Sequence, residues 1–296
     1  MTPEEQQKAF RKGTLEVVSA RTALLRDTRD EIVRLLRVAL ERINVVLAGQ
    51  PTDYERWMLP QIAREIRQAL AEFGDAAAAE ISTAAGDAWQ LGEDLVDRPL
   101  EAAGVRAGAA VPAIDVRQLQ AMRTFMTDRI KNIGTVAADR INGELGLVVI
   151  GAQSPSEAIG KVRTILGEQS RARATTIVRT ELGRVYSVSS FERLKSTAAK
   201  VPGMQKQWRG SGKLHPRFFH ALADGQVRDV GEPFDFGNGA ELMYPHDPAA
   251  EASEVINCGC IMLPYKGDWK VSQPGRAPGI GLGEGQSIKE LFGNAA

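Results

Sequence analysis

Apolar positions recur at helical spacing through the first two thirds of the chain, and at strand-like spacing only beyond that point. Between residue 4 and about 49, Leu25, Ile32, Leu36, Leu40, Ile43 and Leu47 return at intervals of three, four or seven, with no proline after Pro3. That period gathers them on one stripe of an α-helix. One long amphipathic helix, or two in succession, is therefore predicted, closed by Gly49-Gln50-Pro51. Ile62, Ile66, Leu70 and Phe73 define a second helix over 55–74, with Pro60 near its start. An alanine-rich segment follows at 75–97 and ends before Pro99; alanine suits helices and lets them approach closely.

Residues 99–114 hold Pro, Gly and Ala without a period, the pattern of a linker or an interhelical loop. Asp115 reads as the cap of a helix carrying Leu119, Met122, Met126, Ile130 and Ile133, and Gly143 and Gly146 are expected to break or bend its continuation. Ser154-Pro155-Ser156-Glu157 has the form of a capping box with proline at the first helical position. The helix that starts there should stop near Gly167, with another over 170–199. Beyond Pro202 the pattern predicts short strands at 205–209, 226–230 and 255–263, and a brief helix at 216–223, punctuated by Gly231, Gly237, Gly239 and Pro245. From Ser272 onward, Pro274, Pro278 and five glycines between 275 and 285 describe an extended or mobile tail. The predicted class is α+β: long amphipathic helices, then a small turn-rich α+β module and a flexible tail. The corresponding segments are 1–110 (helical), 111–200 (basic and helical), 201–265 (the module) and 266–296 (the tail).

With 296 residues, 43% hydrophobic and 25% charged, the chain has room for two domains, and its composition does not separate an enzyme from a scaffold. No run approaches the ~18 apolar residues of a membrane span, and the first residues lack the apolar core of a signal peptide. An intracellular start and no membrane partner are expected. Net charge is zero but uneven: residues 51–110 carry 5 Lys/Arg against 11 Asp/Glu, and residues 111–200 carry 14 against 8. Such a division suits oriented contact with two different neighbours, or two solvated helix faces. In the basic stretch, Arg163, Arg171, Arg173, Arg179 and Arg184 are candidates for contact with DNA phosphates or an acidic protein surface, opposed by Glu168, Glu181 and Glu192. Arg173, Arg184 and Arg193 do not share one helical stripe, so a single flat phosphate-binding face is not assured. The G-x-x-x-x-G-K-[ST] loop of a packaging motor is absent from the sequence.

All three histidines and both cysteines fall between Trp208 and Tyr265. A Cys-x-Cys pair does not readily meet disulfide geometry, which points to a reducing compartment. His220, Cys258 and Cys260 offer donors of the kind zinc prefers, and His215 or His246 would complete four. Structural zinc sites usually space their cysteine pairs more widely. The alternative is two small apolar cysteines on the inward face of a terminal strand, with His220 bonded to a turn carbonyl. Cys258, His220 and Asn257 formally suit a thiol hydrolase, but nothing in their spacing demands one. No paired carboxylates accompany the histidines at the spacing of a metal nuclease. Asn257 is expected to shape a turn, and Trp208 and Phe219 to anchor a core.

In order, the segment contains Trp208, then Arg217-Phe218-Phe219-His220, Asp224-Gly225-Gln226-Val227 and Glu232-Pro233-Phe234. Tyr244-Pro245-His246-Asp247-Pro248 follows, then Asn257-Cys258-Gly259-Cys260 running into Leu263-Pro264. This series resembles the C-terminal module of the phage Mu F-like minor head proteins, the phage head-morphogenesis family. The pattern there runs W, R-x-x-H, D-G, P-F, Y-P-x-D-P and N-C-R-C before a short apolar strand. Gly259 stands where that family has Arg. Arg179-Thr180-Glu181 resembles the A-R-T-E element that precedes the module, with Val178 in place of the alanine. The likeness covers 170–265, about a third of the chain. It implies a module built on Trp208, Arg217, Asp224, Gly225, Pro245, Asp247 and Asn257. It further implies a minor capsid protein of the virion, in the capsid interior or at the portal vertex. Such a protein acts in head morphogenesis, and in DNA packaging or delivery, by binding rather than turnover. Its partners are the portal protein, the major capsid protein and packaged double-stranded DNA, with no required cofactor and zinc optional. The alternatives from other classes are a zinc-stabilised DNA-binding protein and a metal-dependent nuclease or hydrolase of phage origin.

Overall fold

The computed structural model describes residues 1–48, 59–105, 116–212 and 216–267. Five helices come first: α1 (Pro3–Ala48), α2 (Leu59–Ala102), α3 (Val116–Val149), α4 (Pro155–Thr164) and α5 (Ser170–Ala198), with a π turn, Ile165–Gln169, joining the last two. Then come β1 (Met204–Arg209), α6 (Phe218–Leu222), β2 (Val227–Asp229), β3 (Phe234–Asp235), β4 (Glu241–Leu242), α7 (Ala252–Val255) and β5 (Ile261–Lys266). Long helices followed by a small α+β module is the class that the hydrophobic pattern predicted. The chain divides into two compact units, one made of residues 24–86 and 117–181, the other of 1–23, 87–116 and the chain from 182 onward.

The first unit is a helical bundle. Its core takes Ile43 and Leu47 from α1, Ile62, Ile66 and Leu70 from α2, Ala137, Ile141 and Leu145 from α3, and Val162 from α4. The predicted apolar stripes are thus the buried faces. A Cβ on Gly134 would lie 2.6 Å from the Leu70 carbonyl oxygen, so α2 and α3 meet there backbone to backbone. Gly143 and Gly146 do not break α3; both are exposed, and the helix runs through them to Val149 beside the buried Ile141 and Leu145. A helical glycine costs only about 1 kcal/mol, less than burial of Ile141 and Leu145 supplies.

Ser154 caps α4 as predicted: its backbone N–H donates to Glu157 Oε2 at 2.9 Å, and its hydroxyl accepts from Glu157 N at 3.3 Å. The expected stop near Gly167 does not occur. The backbone widens into a π turn, and the N–H and hydroxyl of Ser170 both donate to the Ile165 carbonyl, the hydroxyl at 2.7 Å. The inserted residue re-phases the helix, so Ile165 and Leu166 before it and Ala174, Ile177 and Val178 after it are all buried.

In the second unit α2 runs through Pro99 to Ala102 rather than ending before it. The hydrogen bond that proline forfeits is outweighed by burial of Val96, Leu100 and Ala103 in one core with Phe10, Phe191 and Leu194. Residues 106–114 of the expected 99–114 linker, the Asp115 cap, the 49–51 closure, the start of the second helix at 55 and the Gly/Pro tail lie outside the described residues. The module's sheet is antiparallel in the order β2-β1-β5, with Trp208 opposite Met262 and Lys206 opposite Pro264. Pro264 donates nothing to the ladder, which an edge strand tolerates. The strand expected over 255–263 starts later than predicted: α7 ends at Val255, Asn257 reverses the chain at φ 55, and pairing begins at Ile261. The hairpin of β3 and β4 was not anticipated, because two residues per strand are too few to show alternation.

Candidate functional site

The module is organised around Trp208. Alternation along β1 puts Met204, Lys206 and Trp208 on its inward face, and the wholly buried indole stands edge-on to Phe236, Phe234 and His220 at 4.9, 5.3 and 5.5 Å between ring centres. The Asp-Gly pair locks this strand in place. Asp224 Oδ1 accepts from Gly210 N at 2.9 Å and from the Arg209 guanidinium at 3.3 Å. Gly225, at φ 88, donates its N–H to the Trp208 carbonyl at 2.9 Å. A side chain would be strained at that φ. The Gln226 amide donates to the Asp235 carbonyl and accepts from Asp235 N, both at 2.9 Å, tying in β3.

His220 lies on α6, just after Arg217, whose guanidinium donates to the Ile256 carbonyl at 2.5 Å and so binds that helix to the segment before the cysteines. His220 Nε2 sits 2.7 Å from Glu254 Oε2, and the second Glu254 oxygen accepts from Asn238 Nδ2 at 3.3 Å. A carboxylate partner places the imidazole proton on Nε2 and leaves the Nδ1 lone pair facing away. Nδ1 is 3.6 Å from Cys258 Sγ and 3.6 Å from Cys260 Sγ. The three side chains are 2–4% exposed, and their donor atoms all lie within 4.8 Å of one another. Both cysteines are free thiols.

The hydrogen bond between the sulfurs pulls the Cys258 pKa down and pushes that of Cys260 up. The Ser211 N–H and the Trp208 indole favour charge on Cys260. Arg21, fully buried with its guanidinium 4.9 Å above the Tyr186 ring, adds positive field at both sulfurs. A cavity of about 260 Å³ opens on the three donors and is otherwise lined by Ser211, Pro216, Arg217, Asn257 and Gly259. The donor set is one that a borderline-soft metal ion takes.

His246 does not join this cluster. It is wholly buried at φ 64, with its ring against Gly183 of α5, and burial pushes its pKa down to about 4. Asp247 shapes the turn around it: the carboxylate accepts from Met243 N and Ala249 N, both at 2.9 Å, and Pro245 is buried beside it. Asn257 occupies the left-handed region at φ 55, where asparagine is among the better-tolerated side chains. Phe219 is only half-buried, and His215 lies outside the described residues.

Arg163, Arg171, Arg173 and Arg179 are exposed on α4 and α5 in the helical bundle, and Arg173 donates to Asn132 Oδ1 at 2.7 Å. Arg184 belongs to the other unit, half-buried, with Nε 3.4 Å from the His246 carbonyl. Glu181 is buried and pairs with Arg129 at 3.1 Å. Two residues of consequence carried no role in the sequence reading. Glu254 is three residues before the N-C-G-C element, where nothing local marks an exposed-looking glutamate as an imidazole partner. Lys206 is buried with Nζ 2.8 Å from the Met243 carbonyl and 4.9 and 5.2 Å from the Phe234 and Phe191 rings, and desolvation draws its pKa down to about 8. Its signal was a charge on the same face of a strand as Met204 and Trp208.

No protein-family model and no solved structure matches the chain. The sequence is 35% identical over 100 residues to the uncharacterized protein YqbB of Bacillus subtilis (strain 168), a match covering 33% of this chain and 31% of YqbB. The chain thus spans about a third of the length of that relative. No described helix is long and apolar enough to cross a membrane.

Proposed function

We propose that this protein is a minor head protein of a tailed phage or prophage, a portal-associated component that acts in head morphogenesis by binding its neighbours. The observation that carries this reading is the ordered series from Trp208 to Cys260, whose members have interlocking structural duties. Trp208 centres the core, Asp224 and Gly225 lock β1, Asp247 forms a turn, Arg217 clamps α6, and Asn257 reverses the chain before Cys258. A series with such duties suits a module that presents a fixed surface. The helices add faces for partners: Val38 and Val45, one heptad apart on α1, are 50% and 73% exposed. Deleting the gene from its phage should sharply reduce infectious particles while the major capsid protein still accumulates in soluble form. Normal titre with full genome delivery would remove this reading.

Packaged DNA is a second contact in this proposal, motivated by the exposed Arg163, Arg171 and Arg173 in the basic stretch. The full chain should bind random duplex with a log K that falls against log salt by about 0.9 per phosphate neutralised. Replacing these three arginines with glutamine should flatten the slope. Binding that ignores salt would assign them to protein contacts instead.

A further inference from the structure

We propose that Cys258, Cys260 and His220 hold one zinc ion, with Glu254 orienting the histidine and a fourth coordination position facing the adjoining cavity. The separations are those that a tetrahedral ion imposes. Zinc binds thiolate at about 2.3 Å and imidazole nitrogen at about 2.0–2.1 Å, so a tetrahedral angle sets sulfur and nitrogen about 3.6 Å apart. Both cysteine sulfurs stand 3.6 Å from His220 Nδ1. Two independent sulfur–nitrogen distances meet that value from residues 38 and 40 positions away in the chain.

The surroundings are those of a metal ligand set. Metal-bound histidines commonly give their other ring N–H to a carboxylate, which fixes the tautomer and strengthens the ligand. Glu254 holds Nε2 in that way, at 2.7 Å, and is itself held by Asn238. The narrow Cys-x-Cys spacing, unusual for zinc on a regular strand, works here because neither cysteine is in one. Asn257 turns the chain at φ 55 immediately before Cys258, and β5 begins only after Cys260, so both thiols reach one point. Gly259 borders the cavity without a side chain to cross it, which leaves the fourth position to water.

A zinc ion would also act on short elements: the sheet has three strands, the β3–β4 hairpin has two residues per strand, and both cysteines belong to the buried cluster of this unit. The ion would join α6 to the segment leading into β5.

The test is metal loading of the full chain. Purified protein stripped with a chelator should take up one equivalent of zinc, and cobalt in its place should show a thiolate-to-metal charge-transfer band. Cys258→Ser and Cys260→Ser should each abolish that band. Glu254→Gln, which keeps shape and leaves the three ligands intact, should retain the band but weaken zinc affinity 10- to 100-fold. Helical circular dichroism checks that each variant is folded. Failure of the stripped wild type to bind zinc or cobalt, or a band surviving both cysteine changes, would overturn the site. Unchanged affinity in Glu254→Gln would overturn the role of Glu254. These readings require no phage, so failure here is distinguishable from failure of the assembly reading.

Discussion

Gly92→Ala should destabilise its unit by about 4 kcal/mol, a large part of the 5–15 kcal/mol that holds a typical domain together. A Cβ at this position would lie 2.6 Å from the Tyr186 carbonyl oxygen, 2.7 Å from Ser189 Cβ and 2.9 Å from Ser189 Oγ. The nearest obstacle is backbone, so no side-chain rotation makes room, and α2 and α5 must separate. Overpacking of this kind costs about 1–3 kcal/mol and at times more. Separation also breaks the buried bond from Ser189 Oγ to the Trp89 carbonyl, 2.7 Å long, and a buried polar group left unpaired costs about 1–3 kcal/mol. Gly183→Ala should behave similarly, because its Cβ would meet the immobile His246 ring at 2.6 Å. The control is built into the chain: at Gly143 and Gly146 an added Cβ meets nothing within 4 Å, so alanine should stabilise α3 by about 0.5–1 kcal/mol at each. Urea unfolding followed by circular dichroism separates the cases. A Gly92→Ala midpoint equal to wild type would show that the two helices do not meet there.

Acidification from pH 6.5 to 4 should remove about 3 kcal/mol through His246 alone. Burial is the main cause that lowers its pKa from 6.5 to about 4, aided by the guanidinium groups of Arg21 and Arg184 and opposed by Cys258. The sign follows from proton counting: between those two values the unfolded chain takes up a proton that the native imidazole refuses. The contribution is therefore fully present above pH 6.5 and lost as pH falls towards 4. Asparagine tolerates the left-handed backbone at this position, so His246→Asn should fold and lose less stability across the same window. Equal losses in the variant and the wild type, measured as unfolding free energy at pH 7 and 4.5, would assign the acid sensitivity to other groups.

The helices were legible because one apolar stripe, repeated from Leu25 to Leu47 and from Ile62 to Phe73, has a single low-energy solution: a helix that buries it. Their ends were less legible. Pro99, Gly143, Gly146 and Gly167 read as breakers, yet each falls inside a helix or π turn, because a local penalty of about 1–3 kcal/mol is outweighed by apolar residues buried nearby. In the module, local chemistry announced the turns. Gly225, Asp247 and Asn257 do what glycine, aspartate and asparagine do in turns anywhere, and the ordered series identified the parts before their arrangement was visible.

The arrangement itself came from tertiary structure. Which histidine meets the cysteines depends on contacts some forty residues apart: His220 reaches them, while His246, equally plausible by type, packs on Gly183 instead. Glu254 becomes an imidazole partner only because α7 lies beside α6, and Lys206 becomes a buried cation only because two aromatic rings and a carbonyl surround it. The sequence by itself determined the helices, the turns and the inventory of donors, since these follow from periodicity and from the conformational preferences of single residues. Tertiary structure alone decided which donors converge, because convergence depends on the chain reversal at Asn257 and on packing between distant segments, neither of which leaves a period in the sequence.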